Sequence, residues 1–325
     1  MGDTRTGIAA ACWVGDALLP TFRAMADDER FRVVALGGTS ADVSDLAKSL
    51  GVPHHDDPRQ LAATPDVDAV LLMDPERRIP DDELTAVISS AQDRPLLSMA
   101  TRPGGVTAFV DEASPLPGTG PLPLPVPWFR GLRRGRRLLE AAEAFGAPVS
   151  ASIEVSGPGP EGLLSTRLLD AFDLLTAWFG LPASVEACAV RASISTDVVP
   201  GRIFVIARFA DGRAASVIAG ADGGRHQRSV TLHGVSGRLR MVDDGTDWSD
   251  LEGRTVEFEP SSPPGENDLA IDLLESVEAI VRGLVPMRPV DATMDLLAVW
   301  EACMLSVRTG EPETIERVRR MLGRV

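Results

Sequence analysis

The chain contains no tyrosine, one lysine (Lys48) and three cysteines. No phenol is therefore available as a general acid, and only one side-chain amine can act as nucleophile or proton donor. Cys12, Cys188 and Cys303 are too few and too far apart for a metal cluster or a disulfide framework. Basic residues are scarce as well. Lys and Arg total 32 against 47 Asp and Glu, for a formal net charge of -15. Such an acidic balance argues against nucleic acid or an anionic membrane as the main partner. No apolar run reaches the ~18 residues that a membrane helix needs. The start, Met1-Gly2-Asp3-Thr4-Arg5, lacks the basic and apolar regions of a signal peptide. The expectation is a soluble, cytoplasmic protein.

What is present is a large apolar content, 44% over 325 residues, enough for two cores. Short apolar runs at 6–14, Phe31–Leu36, Val67–Met73 and Leu96–Ala100 suit buried parallel strands. Helical stretches at Ala17–Ala26, Ala41–Leu50 and Asp81–Ala91 separate them, the second stopped by Gly51 and Pro53. Strand and helix in alternation mean a doubly wound parallel sheet. Pro115–Pro127 is proline-rich and reads as a linker, followed by a helical Arg130–Phe145. The alternation then stops. Val149–Val155, Val185–Ser193, Ile203–Phe209, Ala214–Ala219, Ser229–Leu232 and Arg238–Val242 read as strands, with an Asp211-Gly212 hairpin turn. Asn267–Arg282, Asp291–Arg308 and Thr314–Met321 read as helices. The fold class is thus α/β: a Rossmann-type parallel sheet over 1–125, then an α+β domain over 126–325 with a mainly antiparallel open sheet. The C-terminal helices are free to pack back on the first domain.

Several stretches carry a resemblance in their order and spacing. They are residues 51–75 (GVPHHDDPRQLAATPDVDAVLLMDP), 168–180 (LLDAFDLLTAWFG), 209–216 (FADGRAAS), 230–241 (VTLHGVSGRLRM) and 291–312 (DATMDLLAVWEACMLSVRTGEP). Together they resemble the Gfo/Idh/MocA family, named for glucose–fructose oxidoreductase and inositol dehydrogenase. The resemblance implies a dinucleotide-binding first domain and a second domain that holds the substrate and often a dimer interface.

The residues that this family uses are largely replaced. A G-x-G-x-x-G loop, which lets backbone approach the pyrophosphate, is expected on Ala10, Cys12 and Gly15, where only the last is glycine. The acidic ribose reader falls on Gly37 or Gly38, with Thr39 and Ser40 beyond it as hydrogen-bonding groups for a 2′-phosphate. A Thr-Pro becomes Asp74-Pro75, setting a carboxylate near a diphosphate. The Glu-Lys-Pro motif falls on Thr101-Arg102-Pro103, and the histidine of the second-domain element falls on Asp170 in Asp170-Ala171-Phe172-Asp173.

Each candidate has a chemical and a structural reading. Arg102 is a fork for an anionic or hydroxyl-rich ligand, or a structural arginine. Asp170 and Asp173 share a helix face and form an acid–base pair, or lie on a solvated face, with Arg167 one turn away to neutralise Asp170. His226 is the best remaining general acid or base, or a surface residue. Cys12 is a reactive thiol near a helix start, or a small buried hydrophobe. Among the other histidines, His54 and His55 are expected to face solvent.

The replacements occur together, which favours a relative that has lost NAD(P)-dependent hydride transfer. Its interdomain pocket would then serve small-molecule binding or non-redox proton transfer. Binding of NAD(P) is expected to be weak or absent. The alternatives are a working NAD(P)-dependent oxidoreductase acting on a sugar or polyol-like metabolite, and a non-catalytic regulatory or scaffold protein. A homodimer or larger assembly is expected through the open sheet, as are a small-molecule ligand and no metal.

Overall fold

A computed structural model describes residues 7–75, 81–99, 124–157, 163–190, 201–221, 226–242, 245–260, 268–284 and 290–321. The chain divides into two compact units, 1–131 with 267–287, and 132–266 with 288–325.

The first unit is built on seven consecutive buried residues, β1 (Ile8–Val14). A strand with both faces covered must be apolar throughout, and IAAACWV is. Its neighbours are β2 (Phe31–Gly37) on one side and β4 (Ala69–Met73) on the other. Outside these lie β3 (His54–His55), β5 (Leu96–Ser98) and β6 (Leu124–Pro125). The order is β3-β2-β1-β4-β5-β6, parallel at each paired step. This is the doubly wound order, whose direction reverses between β1 and β4. The helices are α1 (Leu19–Ala26), α2 (Ala41–Leu50), α3 (Pro58–Ala62) and α4 (Asp81–Ala91). Ser40 caps α2 by accepting from the Val43 N–H, and Gly51 ends it at φ +68°. A later helix, α7 (Asp268–Val281), completes this unit. It packs on α1, and its Ser276 Oγ accepts from the Trp128 N–H at 2.9 Å.

The second unit holds a nine-stranded sheet: β7 (Pro148–Ser156), β8 (Ser184–Val190), β9 (Arg202–Arg208), β10 (Ala214–Gly220), β11 (Gln227–Gly234), β12 (Gly237–Val242), β13 (Gly245–Ser249), β14 (Thr255–Pro260) and β15 (Glu313–Thr314). The order is β14-β13-β12-β11-β7-β10-β9-β8-β15. Every step is antiparallel except β7–β10, which is parallel. Its helices are α5 (Arg133–Phe145), α6 (Leu163–Phe179), α8 (Val290–Thr309) and α9 (Ile315–Met321). α6 covers β7 and β10, α8 covers β8, and α5 packs on β12.

Period-two alternation separates the two faces of this sheet. Ile153, Val205, Ala207, Val217, Val230 and Leu232 are buried on the helix side. On the other face a single row runs Glu186–Ile206–Ser216–Ser152–Thr231 across β8, β9, β10, β7 and β11. Ile206 in that row is 44% exposed.

Three further strands, β13 and β14 at one edge and β15 at the other, extend the sheet beyond the strands expected from the sequence. α1 also starts later than expected. A 3-10 turn at Asp16–Leu18 precedes it, and Pro20 sits in its first turn, where a missing N–H costs nothing.

Candidate functional site

At the first unit's switch point the structure corrects the expected loop. β1 runs on to Val14, so Ala10 and Cys12 lie inside the sheet, both fully buried. Cys12 pairs with Leu36 and Leu71 on its flanking strands. It does not stand in a phosphate loop, and burial pushes its thiol pKa up, so it is a small hydrophobe and not a reactive thiol. The turn begins at Gly15, whose N–H donates to the Met73 carbonyl at 2.9 Å. Gly15 therefore occupies the first place of a glycine loop and not the third. The places two and five residues on are Ala17 and Pro20.

The surroundings of that turn are acidic. A Cβ added to Gly15 would lie 2.6 Å from Asp74 Oδ1, so the Asp74 side chain fills the space that a side chain at position 15 would need. Asp16, in the first turn of the 3-10 segment, is exposed. At the end of β2, a Cβ on Gly37 would meet the Trp13 ring at 2.8 Å. One on Gly38 would meet the Val14 carbonyl oxygen at 2.8 Å and Val43 Cγ1 at 3.0 Å. Both glycines thus serve internal packing. Ser40 is committed to capping α2, while Thr39 is exposed. His54 Nε2 lies 3.2 Å from the Gly38 carbonyl oxygen, and both His54 and His55 are half-buried, where solvent-facing rings were expected. A dinucleotide needs backbone N–H groups free to meet its diphosphate and an acid to read its ribose. Among the described residues the first place carries two carboxylates and the second carries glycine, so these residues do not fit the group.

The second unit concentrates its buried charge at one end of the β7–β10 pair. The charged residues of α6 form a stripe one turn apart: Arg167, Asp170 and Asp173 are 7%, 5% and 2% exposed. The solvated-face reading is therefore overturned for both aspartates. Asp170 Oδ2 accepts from Arg228 Nη2 at 2.8 Å, and the Arg228 side chain is 1% exposed. Arg167, one turn before Asp170, donates through Nη1 to the Gly157 carbonyl at 3.0 Å and the Gly220 carbonyl at 2.7 Å, tying together the ends of β7 and β10. Burial, then the Arg228 charge, lower the Arg167 pKa to about 10.

His226 stands immediately before β11 and is half-buried. A Cβ on Gly157 would lie 2.9 Å from the His226 α-carbon and 3.0 Å from Arg167 Nη2, so glycine is required between them. Burial, then the charges of Arg228, Arg167 and Arg134, lower the His226 pKa to about 2. The imidazole is neutral at ordinary pH, which corrects both readings of His226: it is neither a simple surface residue nor a proton donor tuned near neutrality. Thr101 and Arg102 lie outside the described residues. Arg228 was missed in the sequence, although it left a signal: it shares the inward phase of β11 with Val230 and Leu232. Among the described residues no group of His, Cys, Asp and Glu is placed to hold a metal ion.

The strand order and the mixed second sheet permit comparison with known structures. GenD2 from gentamicin A biosynthesis, solved in complex with NAD, superposes at a TM-score of 0.69 with 18% identity, over 97% of this chain and 98% of that one. An oxidoreductase from Agrobacterium radiobacter, in complex with NAD+, L-tartaric acid and magnesium, gives 0.67 with 13% identity, over 96% and 99%. Myo-inositol 2-dehydrogenase from Lactobacillus plantarum gives 0.66 with 14% identity, over 95% and 99%. The chain has the Gfo/Idh/MocA fold. No family model matches it, and no curated protein matches it in sequence. As a Gfo/Idh/MocA-fold chain it keeps the doubly wound sheet and the open second sheet. Among the described residues no helix is long and apolar enough to cross a membrane.

Proposed function

We propose that this oxidoreductase-fold chain has given up NAD(P)-dependent hydride transfer. Its working residues are then those of the second unit, Arg167, Asp170, Asp173, Arg228 and His226. They serve small-molecule binding, or proton transfer of the elimination or isomerisation type through the Asp170 and Asp173 carboxyl groups. The observation that carries the reading is the Asp74 carboxylate in the space beside Gly15. A negative charge beside the diphosphate place opposes the ligand that the fold otherwise favours. The glycines at the end of β2 support it, since neither can grip a ribose.

A second reading, a working NAD(P)-dependent oxidoreductase, has one observation in its favour. Gly15 is in place at the exit of β1, and Ala17 is the smallest residue that could replace the second glycine. Calorimetric titration of the purified chain with NAD+, NADH, NADP+ and NADPH separates the two. The first reading expects no isotherm in the micromolar range. A dissociation constant of ~10 µM or tighter, about -7 kcal/mol, would establish the second.

The same reading includes a homodimer formed through the open face of the second sheet, which would otherwise leave apolar side chains in water. The free thiols of Cys12, Cys188 and Cys303 accord with a reducing, cytoplasmic setting.

A further inference from the structure

We propose that a second copy of this chain docks on the open face of the second sheet, with Arg240 of each copy paired to Glu154 of the other. The inference rests on the homodimer reading above, and it names the charges that set the register of that contact.

The ladders place both residues on this face. The row that ends at Thr231 continues through Arg240, Asp247 and Phe258 on β12, β13 and β14. Beside it runs a second row, Cys188–Phe204–Ile218–Glu154–Ser229, across β8, β9, β10, β7 and β11. Glu154 is the one charge in that second row, and it is half-buried, whereas Arg240 is exposed. Among the described residues neither has a hydrogen bond or ion pair within its own chain. The other guanidinium groups described on this face are engaged. Arg208 lies 3.5 Å from Glu186, Arg238 lies 3.2 Å from Asp247, and Arg202 is held within its own chain.

A cover of apolar side chains would bury the Glu154 carboxylate without a counter-charge, which is costly. A second copy brings that counter-charge with it. In a two-fold contact, if residue i meets residue j of the partner, then j meets i. One contact therefore answers both lone charges of both copies, and opposite charges fix the register. Glu154 and Arg240 stand one row apart, on strands that flank β11. The two-fold axis must pass midway between them, over β11 between Ser229 and Thr231. Both are small side chains, and Ser152 and Ser216 nearby already bond each other at 3.1 Å. Two sheets can thus approach closely at the axis.

The face is large enough for a stable dimer. From β14 to β8 it is eight strands wide. Its width is about 34 Å at ~4.8 Å per step, and a seven-residue strand such as β9 is about 23 Å long. The product, roughly 800 Å², matches the ~800 Å² that each partner buries in a standard interface.

The test is sedimentation velocity of the full chain and of Arg240→Glu, Glu154→Arg and the double variant, with circular dichroism to check each fold. The parent should be a dimer. Each single variant should raise the dimer dissociation constant by about tenfold or more, since it sets like charges against each other. The double variant exchanges the two charges and should return to within about threefold of the parent. Arg240 is exposed, so Arg240→Glu reads the contact even if Glu154→Arg fails to fold. A parent dimer left unchanged by Arg240→Glu would overturn the pairing while the homodimer reading stands. Losses that simply add in the double variant would overturn it too. A monomeric parent at high micromolar concentration would overturn the pairing and the homodimer reading together.

Discussion

Trp13 and Gly37 stand opposite each other across the β1–β2 ladder, and the indole fills the room that any side chain at position 37 would need. An acidic ribose reader at the end of β2 is therefore incompatible with Trp13 as it lies. Gly37→Asp should destabilise the fold by about 1–3 kcal/mol, the range for forced overpacking, with the added cost of a buried carboxylate. Urea unfolding would measure this. A variant as stable as the parent would mean that the indole can leave that space freely.

The buried Arg228–Asp170 pair gives the second prediction. Arg228→Met removes a buried charge partner of the Asp170 carboxylate and should cost about 3–5 kcal/mol. Adding Asp170→Leu should recover most of the loss, because two apolar side chains replace two desolvated charges. Independent, additive losses in the double variant would show that the pair is not coupled. For function, Asp170→Asn should weaken the ligand, once it is known, by tenfold or more, about 1.4 kcal/mol.

His226 makes stability depend on pH. Its folded pKa is about 2 against an ordinary value of 6.5, so in that window the unfolded chain holds a proton that the folded chain rejects. Stability is then complete above pH ~6.5 and falls as the solution is acidified toward the folded pKa, at no more than ~1.4 kcal/mol per pH unit. Partial exposure of the ring reduces that slope. Denaturation curves between about pH 4 and pH 7 should be flatter for His226→Gln than for the parent. Parallel curves would remove His226 from the account.

The open face of the second sheet predicts assembly. Ile206 lies in that row flanked by Glu186 and Ser216, so Ile206→Arg should leave the monomer folded while opposing contact between two copies. Light scattering should report a dimer for the parent and a smaller species for the variant. A monomeric parent at high micromolar concentration would end the proposal.

Strand alternation made the fold legible. The strands at 8–14 and 69–73 are apolar throughout, as two-sided cover demands, the strand at 31–37 is apolar except for Arg32, and β7 to β12 alternate with period two. β14 was equally readable, since Val256-Glu257-Phe258-Glu259 alternates, yet its full exposure removes the core that normally confirms a strand. The loop register was less accessible. A run that stays apolar to Val14 gives no internal mark of where the strand stops, so Ala10 and Cys12 lie in the strand and only Gly15 of the three expected residues is in the turn. The partner of Asp170 was out of reach for a different reason. Local spacing points to Arg167, three residues away, whereas the pairing arginine is 58 residues distant on another element.

Helix α7 belongs with the first unit although more than 130 residues separate it from that unit's last strand. The ribosome delivers the chain from its N-terminus at about 5–20 residues per second. The first sheet must then wait several seconds or more for the helix that packs on α1 and bonds Trp128. During that wait the second sheet is already being made. A fragment ending near Gly131 would lack Ser276, the acceptor for the Trp128 N–H, and should be less stable than the same unit in the whole protein. Synthesis order and packing order differ in this chain: the two units are interleaved, and each waits for a late segment, 267–287 for the first and 288–325 for the second.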